Sequence, residues 1–394
     1  MKAVTWHGVH DMRVDEVPDP TIQEPTDIVI RVTSSGLCGS DLHLYETLAA
    51  FMEPGDIVGH EPMGVVEAVG SAVTHLDIGD RVVIPFNVSC GHCWMCERGL
   101  FSQCETTQNH EHGTGASFLG YSKLYGQIPG GQAEYLRVPH GAFGAVKVPH
   151  GPPDDRFLFL SDVLPTAWQG VEYADVPEGG SLLVLGAGPI GDMAARVALH
   201  RGLEVIVADR IPERLARVAG RGADTVDIDA LDGESLADEV RSRTGGRGPD
   251  AVIDAVGMEA HGSPVKAVHK MVGLLPDVLA EPLMKAAGMD RLTALHTAFD
   301  AVRRGGTVSV SGVYGGAADP MNLMQMFDKQ VQVRMGQANV RRWTDDLLAL
   351  LQQDEDVLGV ESFATHHLSL DEAPQAYETF QKKEDGAVKI VFRP

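Results

Sequence analysis

The feature that most constrains the fold of this chain is the segment of residues 181–210, which reads SLLVLGAGPIGDMAARVALHRGLEVIVADR. It has the pattern of a short apolar strand, a glycine turn, a helix of about three turns and a second apolar strand. Both strands are continuously apolar rather than alternating, as is typical of parallel strands buried on both faces. The segment therefore predicts a β-α-β unit of a doubly wound parallel sheet, and hence an α/β fold.

The turn of this unit carries a G-x-G-x-x-G pattern at Gly186, Gly188 and Gly191. The pattern alone is weak evidence, but here it follows a strand and opens a helix, with Pro189 suited to the helix start. In that context the glycines permit a tight turn and let a pyrophosphate approach the helix N-terminus closely. The turn therefore predicts a dinucleotide-binding site.

Asp209 indicates which dinucleotide binds. It ends the second strand, eighteen residues after Gly191, where a carboxylate binds the hydroxyl groups of the adenosine ribose. Because a carboxylate repels a 2′-phosphate, the sequence predicts NAD rather than NADP. Arg210 and Arg214 would soften this preference if they face the cofactor, and would not if they lie on the solvated surface.

The 394 residues are too many for one ordinary core, so the chain is expected to form two domains. Residues 1–160 are rich in Gly, Pro and Val, with short β-like runs that end at turn residues, and predict an irregular, mostly β domain. Residues 161–336 are expected to form the doubly wound sheet, with an inserted helical element between 258 and 300. Residues 337–394 are expected to return to the first domain.

Composition limits the partners and the location of the protein. A net charge of −23 repels phosphate backbones, so no nucleic-acid partner is expected. We find no apolar run as long as a membrane span and no apolar signal-peptide core near the N-terminus. A cytoplasmic protein that does not enter the membrane is therefore predicted.

Four of the five cysteines lie within fifteen residues, inside a lobe of residues 88–106. They follow the spacing C-x2-C-x2-C-x7-C, at Cys90, Cys93, Cys96 and Cys104. In a reducing compartment such a cluster indicates metal ligands rather than disulfides. Four thiolates complete a tetrahedral zinc shell and leave no open position, so the prediction is a structural zinc. An iron–sulfur cluster is the main alternative.

The fifth cysteine, Cys38, stands alone in GLCGSDLH, and His60 follows in VGHEPMG. Thiolate and imidazole are good zinc ligands, and a catalytic zinc needs three ligands and one open position. Taken singly, however, Cys38 is better interpreted as a small buried side chain and His60 as a hydrogen-bonded core histidine. The residues alone leave both interpretations open and do not identify a third ligand.

These motifs together resemble one enzyme family. GLCGSDLH, GHEPMGVVEAVG, the four-cysteine loop and VLGAGPIG occur in the order and approximate spacing of the zinc-dependent medium-chain alcohol dehydrogenases, over nearly the whole chain. Within that superfamily, PFNVSCGHC, GGQAEYLRVP and LSDVLPTAWQG are most similar to glutathione-independent formaldehyde dehydrogenases and formaldehyde dismutases. The resemblance implies a GroES-like catalytic domain with a structural zinc lobe, joined to a Rossmann NAD-binding domain.

The resemblance also implies the residues of a catalytic zinc site. Cys38 and His60 would be ligands, and Asp162 would be the third ligand where classical alcohol dehydrogenases have a cysteine. Glu61 would lie beside the metal or exchange onto it. Two zinc ions per chain are therefore expected, one catalytic and one structural.

The remaining implied roles concern proton transfer and the cofactor. Ser40 would hydrogen-bond the substrate hydroxyl, and His43 would end a proton path to solvent, since a hydroxyl both accepts and donates and an imidazole titrates near neutrality. Thr166 would contact the nicotinamide side of the cofactor. Further cofactor contacts would come from Ile190, Val256 and Val313.

The implied reaction is hydride transfer from a small alcohol or aldehyde hydrate to NAD, with formaldehyde oxidation to formate as the best single prediction. Dismutation of an aldehyde, and oxidation of a larger alcohol or a polyol, are the alternatives within this class. A nucleotide-binding scaffold without turnover is the alternative outside it, and the complete set of ligand and relay residues argues against a scaffold. Phe118 and Tyr121, in the loop of residues 105–125, are candidates for a wall of the substrate pocket. A homotetramer or dimer is expected.

Overall fold

The computed structural model of the protein describes residues 1–257, 292–314 and 321–394. Most of the helical insert predicted between 258 and 300 therefore lies outside the described residues. The chain divides into two compact units. The first unit comprises Met1–Pro165 and Ala338–Pro394, and the second comprises Thr166–Gln337.

The strands are numbered in chain order. They are β1 (Lys2–Gly8), β2 (Asp11–Glu16), β3 (Ile28–Leu37), β4 (Asp56–Ile57), β5 (Glu61–Val69), β6 (Arg81–Val83), β7 (Tyr135–Val138), β8 (Val146–Lys147), β9 (Ser181–Leu185), β10 (Glu204–Asp209), β11 (Asp224–Asp227), β12 (Ala251–Asp254), β13 (Thr307–Val310), β14 (Gln332–Met335), β15 (His366–Ser369) and β16 (Ile390–Arg393).

The α-helices among the described residues are numbered in the same way. They are α1 (Asp41–Glu46), α2 (Gly141–Gly144), α3 (Val163–Ala174), α4 (Pro189–His200), α5 (Pro212–Ala219), α6 (Leu236–Arg243), α7 (Thr293–Ala301), α8 (Leu323–Lys329), α9 (Val340–Leu351) and α10 (Ala373–Lys382). Within the described ranges, none of these helices is long and apolar enough to cross a membrane.

The first unit is mostly β, with one three-stranded and one seven-stranded sheet. The small sheet has the order β2-β1-β4, and the large one has the order β15-β16-β3-β5-β6-β8, with β7 pairing with β3 as well. Strand β16 runs antiparallel to β3, so that Ile390 lies opposite Leu37. The segment after the second unit therefore completes the sheet immediately beside Cys38.

The second unit is built on a six-stranded parallel sheet of order β11-β10-β9-β12-β13-β14. Its central strand β9 is buried along almost its whole length, from Leu182 to Leu185, as the continuously apolar sequence predicts. The strand order reverses between β9 and β12, and ligands of such sheets bind at the carboxyl ends of the strands at this point. The predicted α/β class, with a doubly wound parallel sheet and a separate mostly β unit, is confirmed.

Candidate active site

Four buried side chains that can bind metal converge within the first unit. Cys38 follows β3, His60 immediately precedes β5, Glu61 is the first residue of β5, and Asp162 immediately precedes α3. One ligand atom from each of the four lies within 4.8 Å of the others. We call this set the Cys38 cluster; it unites the three predicted ligands of the catalytic zinc with Glu61.

The distances in this cluster are those of a tetrahedral metal site. Cys38 Sγ lies 3.4 Å from Asp162 Oδ2, and His60 Nε2 lies 3.3 Å from the same oxygen. Zinc with bonds of about 2.0–2.3 Å to S, N and O would hold its ligand atoms about 3.3–3.8 Å apart. The three donors therefore fit a zinc ion.

Ser40 lies beside the donor atoms of the cluster. Its Oγ is 3.3 Å from Cys38 Sγ and 3.2 Å from His60 Nε2. His43 lies on α1, the helix that follows Ser40, and is 7% exposed. Its backbone amide donates to the Ser40 carbonyl at 3.1 Å. The structure thus brings the hydroxyl of Ser40 to the ligand atoms and places His43 one helical turn further on.

Glu61 is paired with a buried lysine that the sequence analysis did not identify. Lys389, on the stretch leading into β16, hydrogen-bonds Glu61 Oε1 and donates to the Leu37 carbonyl at 3.2 Å. Both side chains are 0% exposed. The other carboxylate oxygen, Glu61 Oε2, is buried and has no hydrogen-bond partner. A buried acceptor without a partner is costly in a folded protein, which is consistent with a cation at this position.

The electrostatics of the cluster also favour a cation. Burial, together with the nearby Asp162 carboxylate, raises the pKa of the Cys38 thiol to about 11. Burial lowers the pKa of His60, but the Asp41 carboxylate and the Cys38 sulfur outweigh burial and hold that pKa well above its usual value. The buried groups around His60 are thus an excess of acids, and a divalent cation would stabilise their ionised forms.

Asp41 is a second residue that the sequence analysis did not identify. Its Oδ1 lies 3.0 Å from His60 Nδ1, and its Oδ2 accepts a hydrogen bond from the Cys38 amide at 3.0 Å. A histidine that donates from Nδ1 to a carboxylate keeps Nε2 for the metal. The sequence signal was the Asp three residues after the cysteine in GLCGSDLH.

Aromatic rings line the same region of the first unit. Phe86 and Tyr121 meet the imidazole of His60 edge-on, with ring centroids 6.0 and 6.3 Å away. Phe118 packs against Phe86 at 4.9 Å and stacks on Tyr125 at 4.1 Å. The loop predicted as a pocket wall therefore places its aromatic side chains beside the Cys38 cluster.

The four-cysteine loop forms a second compact group. Cys90 Sγ lies 4.0 Å from Cys96 Sγ, and Cys93 Sγ lies 3.9 Å from Cys104 Sγ. Bonds of about 2.3 Å to a tetrahedral zinc would place the sulfurs about 3.8 Å apart. Gly91 allows the tight wrap, with φ +80° and the Phe143 ring 2.4 Å from the position of a Cβ. All four thiols therefore fit one closed zinc site.

The glycine turn of the second unit has the geometry of a dinucleotide-binding turn. Gly186 has φ +88°, and a Cβ on Gly191 would lie 1.8 Å from the Gly186 carbonyl oxygen, so neither position accepts a side chain. Asp209 Oδ2 accepts the Ala187 amide hydrogen at 2.6 Å, which ties the turn to the end of β10. A Cβ on Gly186 would also lie 2.8 Å from Val256 Cγ2.

The other predicted cofactor residues lie around this turn, after strands of the same sheet, or in α3. Gly188 precedes α4, and Pro189 and Ile190 form its first turn. Arg214 Nη1 lies 3.6 Å from where a Gly188 Cβ would be, and Arg210 pairs with Asp229 at the surface. Val313 lies after β13 and is 37% exposed, and Thr166 lies in α3 at the start of the second unit.

This combination of a parallel nucleotide-binding sheet, a mostly β unit and two zinc-type ligand sets defines a zinc-dependent dehydrogenase. The family described as "Alcohol dehydrogenase GroES-like domain" matches residues 24–150, and the family described as "Zinc-binding dehydrogenase" matches residues 189–274.

Known proteins of this kind match along the whole chain. An uncharacterized zinc-type alcohol dehydrogenase-like protein of Bacillus subtilis is 38% identical, with 100% of each chain covered. Formaldehyde dismutase of Pseudomonas putida is 32% identical, over 100% of this chain and 97% of its own. The solved structure of an alcohol dehydrogenase from Thermus sp. ATN1 is 35% identical, has a TM-score of 0.81, and covers 100% of this chain and 99% of its own.

The chain therefore belongs to the zinc-type alcohol dehydrogenase family. The predicted superfamily is confirmed, and so is the prediction that the protein is an enzyme of the oxidoreductase class. Its cofactors are zinc and NAD, as the ligand sets and the glycine turn indicate.

Proposed function

We propose that this oxidoreductase acts on a small alcohol or aldehyde hydrate, with formaldehyde as the leading candidate, and passes a hydride to NAD. The observation that carries the proposal is the aromatic wall beside His60, since Phe86 and Tyr121 meet its ring, Phe118 packs on Phe86, and all three are at most 9% exposed. Such a wall favours a substrate of very few carbon atoms. The relative named formaldehyde dismutase adds support.

In this proposal Cys38, His60 and Asp162 hold the catalytic zinc, and Cys90, Cys93, Cys96 and Cys104 hold the structural one. When bound, the catalytic zinc polarises the substrate oxygen, and NAD supplies the hydride acceptor. The protein's own task is then to move one proton. Ser40 accepts it from the substrate hydroxyl while its own proton passes on, and His43 is assigned the end of the path to solvent.

Replacing Ser40 by alanine is expected to lower kcat/KM about 100-fold, because the proton acceptor of the reacting hydroxyl is lost. Both zinc ions should remain, since the hydroxyl is not one of the three proposed ligands of the catalytic zinc. Steady-state kinetics with formaldehyde and metal analysis of the same preparation measure the two effects. Ser40→Thr keeps a hydroxyl and serves as the control, with most of the activity retained. A Ser40→Ala variant with undiminished kcat/KM would exclude the role of Ser40 as proton acceptor.

The cofactor preference is proposed to depend on Asp209. Asp209→Asn removes the charge that repels a 2′-phosphate, and we expect the kcat/KM ratio of NAD to NADP to fall about 100-fold. Asp227→Asn is the matched control, because Asp227 lies opposite Asp209 in the strand register, at the end of the neighbouring strand β11. This variant is expected to leave the ratio unchanged. The ratio is measured with both cofactors at a fixed substrate concentration. An unchanged ratio in Asp209→Asn would assign the preference elsewhere.

The substrate proposal is tested by following NADH absorbance with formaldehyde, methanol, ethanol, longer aldehydes and a polyol. A kcat/KM highest for formaldehyde supports the proposal, and one that rises with chain length opposes it. Product analysis with formaldehyde alone separates oxidation from dismutation, since dismutation forms methanol and formate in equal amounts without net NADH.

We further propose that the protein is a homo-oligomer. Four large apolar side chains on α8 and β14 are strongly exposed: Leu323 at 66%, Met324 at 77%, Phe327 at 83% and Met335 at 63%. Strand β14 is also the outer strand of the sheet as described. An apolar patch next to an unpaired strand edge favours a second copy of the chain as its partner. Light scattering coupled to size exclusion tests this, and the mass of a single chain would contradict it.

A further inference from the structure

A buried chain of hydrogen bonds leads from α10 to the imidazole of His60. The hydroxyl of Tyr377 donates to Gln132 Oε1 at 2.9 Å. Gln132 Nε2 lies 3.4 Å from Asp41 Oδ2, and Asp41 Oδ1 lies 3.0 Å from His60 Nδ1. Asp41, Gln132 and Tyr377 are each 0% exposed. All four residues belong to the first unit, and two of them, Gln132 and Tyr377, have no part in the function proposed above.

The chemistry of Asp41 fixes the direction of this chain. An ionised carboxylate only accepts hydrogen bonds, so the amide nitrogen of Gln132, rather than its oxygen, faces Asp41. The amide oxygen then faces Tyr377, whose hydroxyl donates to it. The second amide hydrogen of Gln132 points toward the Gly36 carbonyl at 3.5 Å. Every polar atom of the Gln132 side chain is thus used.

The Tyr377 hydroxyl satisfies the amide oxygen of Gln132 in the orientation that Asp41 requires. An amide has nearly the same shape either way round, so packing alone distinguishes the two orientations poorly. Without the hydroxyl, the amide oxygen of Gln132 would be buried with no donor, at a cost comparable to that of a lost hydrogen bond. The reversed amide would direct its oxygen at the Asp41 carboxylate. Tyr377 therefore supports the donation from Gln132 to Asp41.

Gln132 packs with both its backbone and its side chain on the segment that presents His60. A Cβ on Gly59, the residue before His60, would lie 2.4 Å from Gln132 Cγ, and Gly59 has φ +100°. The Gln132 amide donates to the Val58 carbonyl at 3.1 Å, and the Val4 amide donates to the Gln132 carbonyl at 2.8 Å. Gln132 is therefore held fixed relative to His60.

We propose that Gln132 and Tyr377 are positioning residues that act through Asp41, keeping His60 protonated on Nδ1 and presenting Nε2 to the catalytic zinc. The proposal rests on the proposed role of His60 as a zinc ligand. Asp41 has three donors, the His60 ring, the Cys38 amide and Gln132. Loss of one of them weakens the hold on a buried carboxylate that orients two of the ligand residues. Outer partners of this kind typically contribute about 10–100-fold to metal affinity.

The test is the rate at which a chromogenic chelator removes zinc from the purified, fully loaded protein. In Gln132→Leu, one of the two zinc ions is expected to leave about 10–100-fold faster than in the wild type. In Tyr377→Phe the acceleration is expected to be about twofold to tenfold, the effect of one hydrogen bond. The zinc of the four-cysteine loop should leave both variants at the wild-type rate. General unfolding would instead accelerate the release of both ions.

Two further variants make the assignment specific. Tyr45→Phe is the matched control, because the Tyr45 ring lies 5.5 Å from the Tyr377 ring, and it is expected to release zinc at the wild-type rate. Adding Tyr377→Phe to Gln132→Leu should cause no further acceleration, since the two residues act in series. Wild-type release rates in both single variants, or equal acceleration of both ions, would overturn the proposal. A wild-type protein that holds one zinc would instead overturn the proposed function and this inference with it.

Discussion

Replacing Asp162 by alanine is expected to lower the zinc content from two ions per chain to one and to reduce kcat/KM by at least about 1000-fold, or about 4 kcal/mol of transition-state stabilisation. Asp162 Oδ2 lies 3.4 Å from Cys38 Sγ and 3.3 Å from His60 Nε2, so its loss leaves two donors where three converge. Two protein ligands hold zinc poorly compared with three. Metal analysis and the kinetics of formaldehyde oxidation measure the two effects.

The control for this experiment restores a ligand at the same position. Asp162→Cys supplies a thiolate, the ligand found there in classical alcohol dehydrogenases according to the resemblance, and is expected to retain two zinc ions. Comparison of the two variants separates loss of a ligand from loss of a buried carboxylate. A fully metallated and active Asp162→Ala variant would show that the third ligand has been misassigned.

Replacing Lys389 by methionine is expected to lower the free energy of unfolding by about 3–5 kcal/mol, because it leaves the Glu61 carboxylate buried without its ion-pair partner. Both groups are 0% exposed. Burial lowers the pKa of Lys389, but the negative charges of Glu61 and the Cys38 sulfur outweigh burial and the pKa is raised. The variant also deprives the Leu37 carbonyl of its donor. Urea unfolding in the presence of excess zinc measures the change.

Two further variants test the cause of this loss. Lys389→Met combined with Glu61→Gln should recover most of the stability, since no uncompensated charge is then buried. Lys382→Met removes an exposed lysine that is paired with Glu378 on α10, and little change is expected because exposed pairs are screened by solvent. If the urea midpoint of unfolding of Lys389→Met equals that of the wild type, Glu61 is uncharged in the folded protein or another group compensates its charge.

The predictability of the site depended on how far apart its residues lie along the chain. The four cysteines fall within fifteen residues, so their spacing alone indicated a shared metal. Gly186 and Gly191 likewise indicated a dinucleotide-binding turn, because a turn between a strand and a helix is a local structure. By contrast, Cys38 and Asp162 are 124 residues apart, and the residues alone gave no reason to pair them. That pairing came from the resemblance to a family.

The partners around the ligands were not predictable in this way. Lys389 lies in VKIVF, a run that reads as an ordinary closing strand, and nothing local indicates that its amine is fully buried. Gln132 and Tyr377 are 245 residues apart, and their contact depends on how α10 packs in the first unit. Local patterns specify the strands, helices and turns, whereas tertiary packing decides which buried polar groups meet.

The pairing of β16 with β3 has a consequence for the order of events during synthesis. Lys389 is synthesised 352 residues after Leu37, whose backbone carbonyl it contacts. The whole second unit is translated between these two residues. While the ribosome is still translating the second unit, the nascent polypeptide already contains every proposed zinc ligand but not the amine that balances Glu61. The ion pair between Glu61 and Lys389 can therefore form only after β16 has been synthesised, later than all the proposed zinc ligands become available.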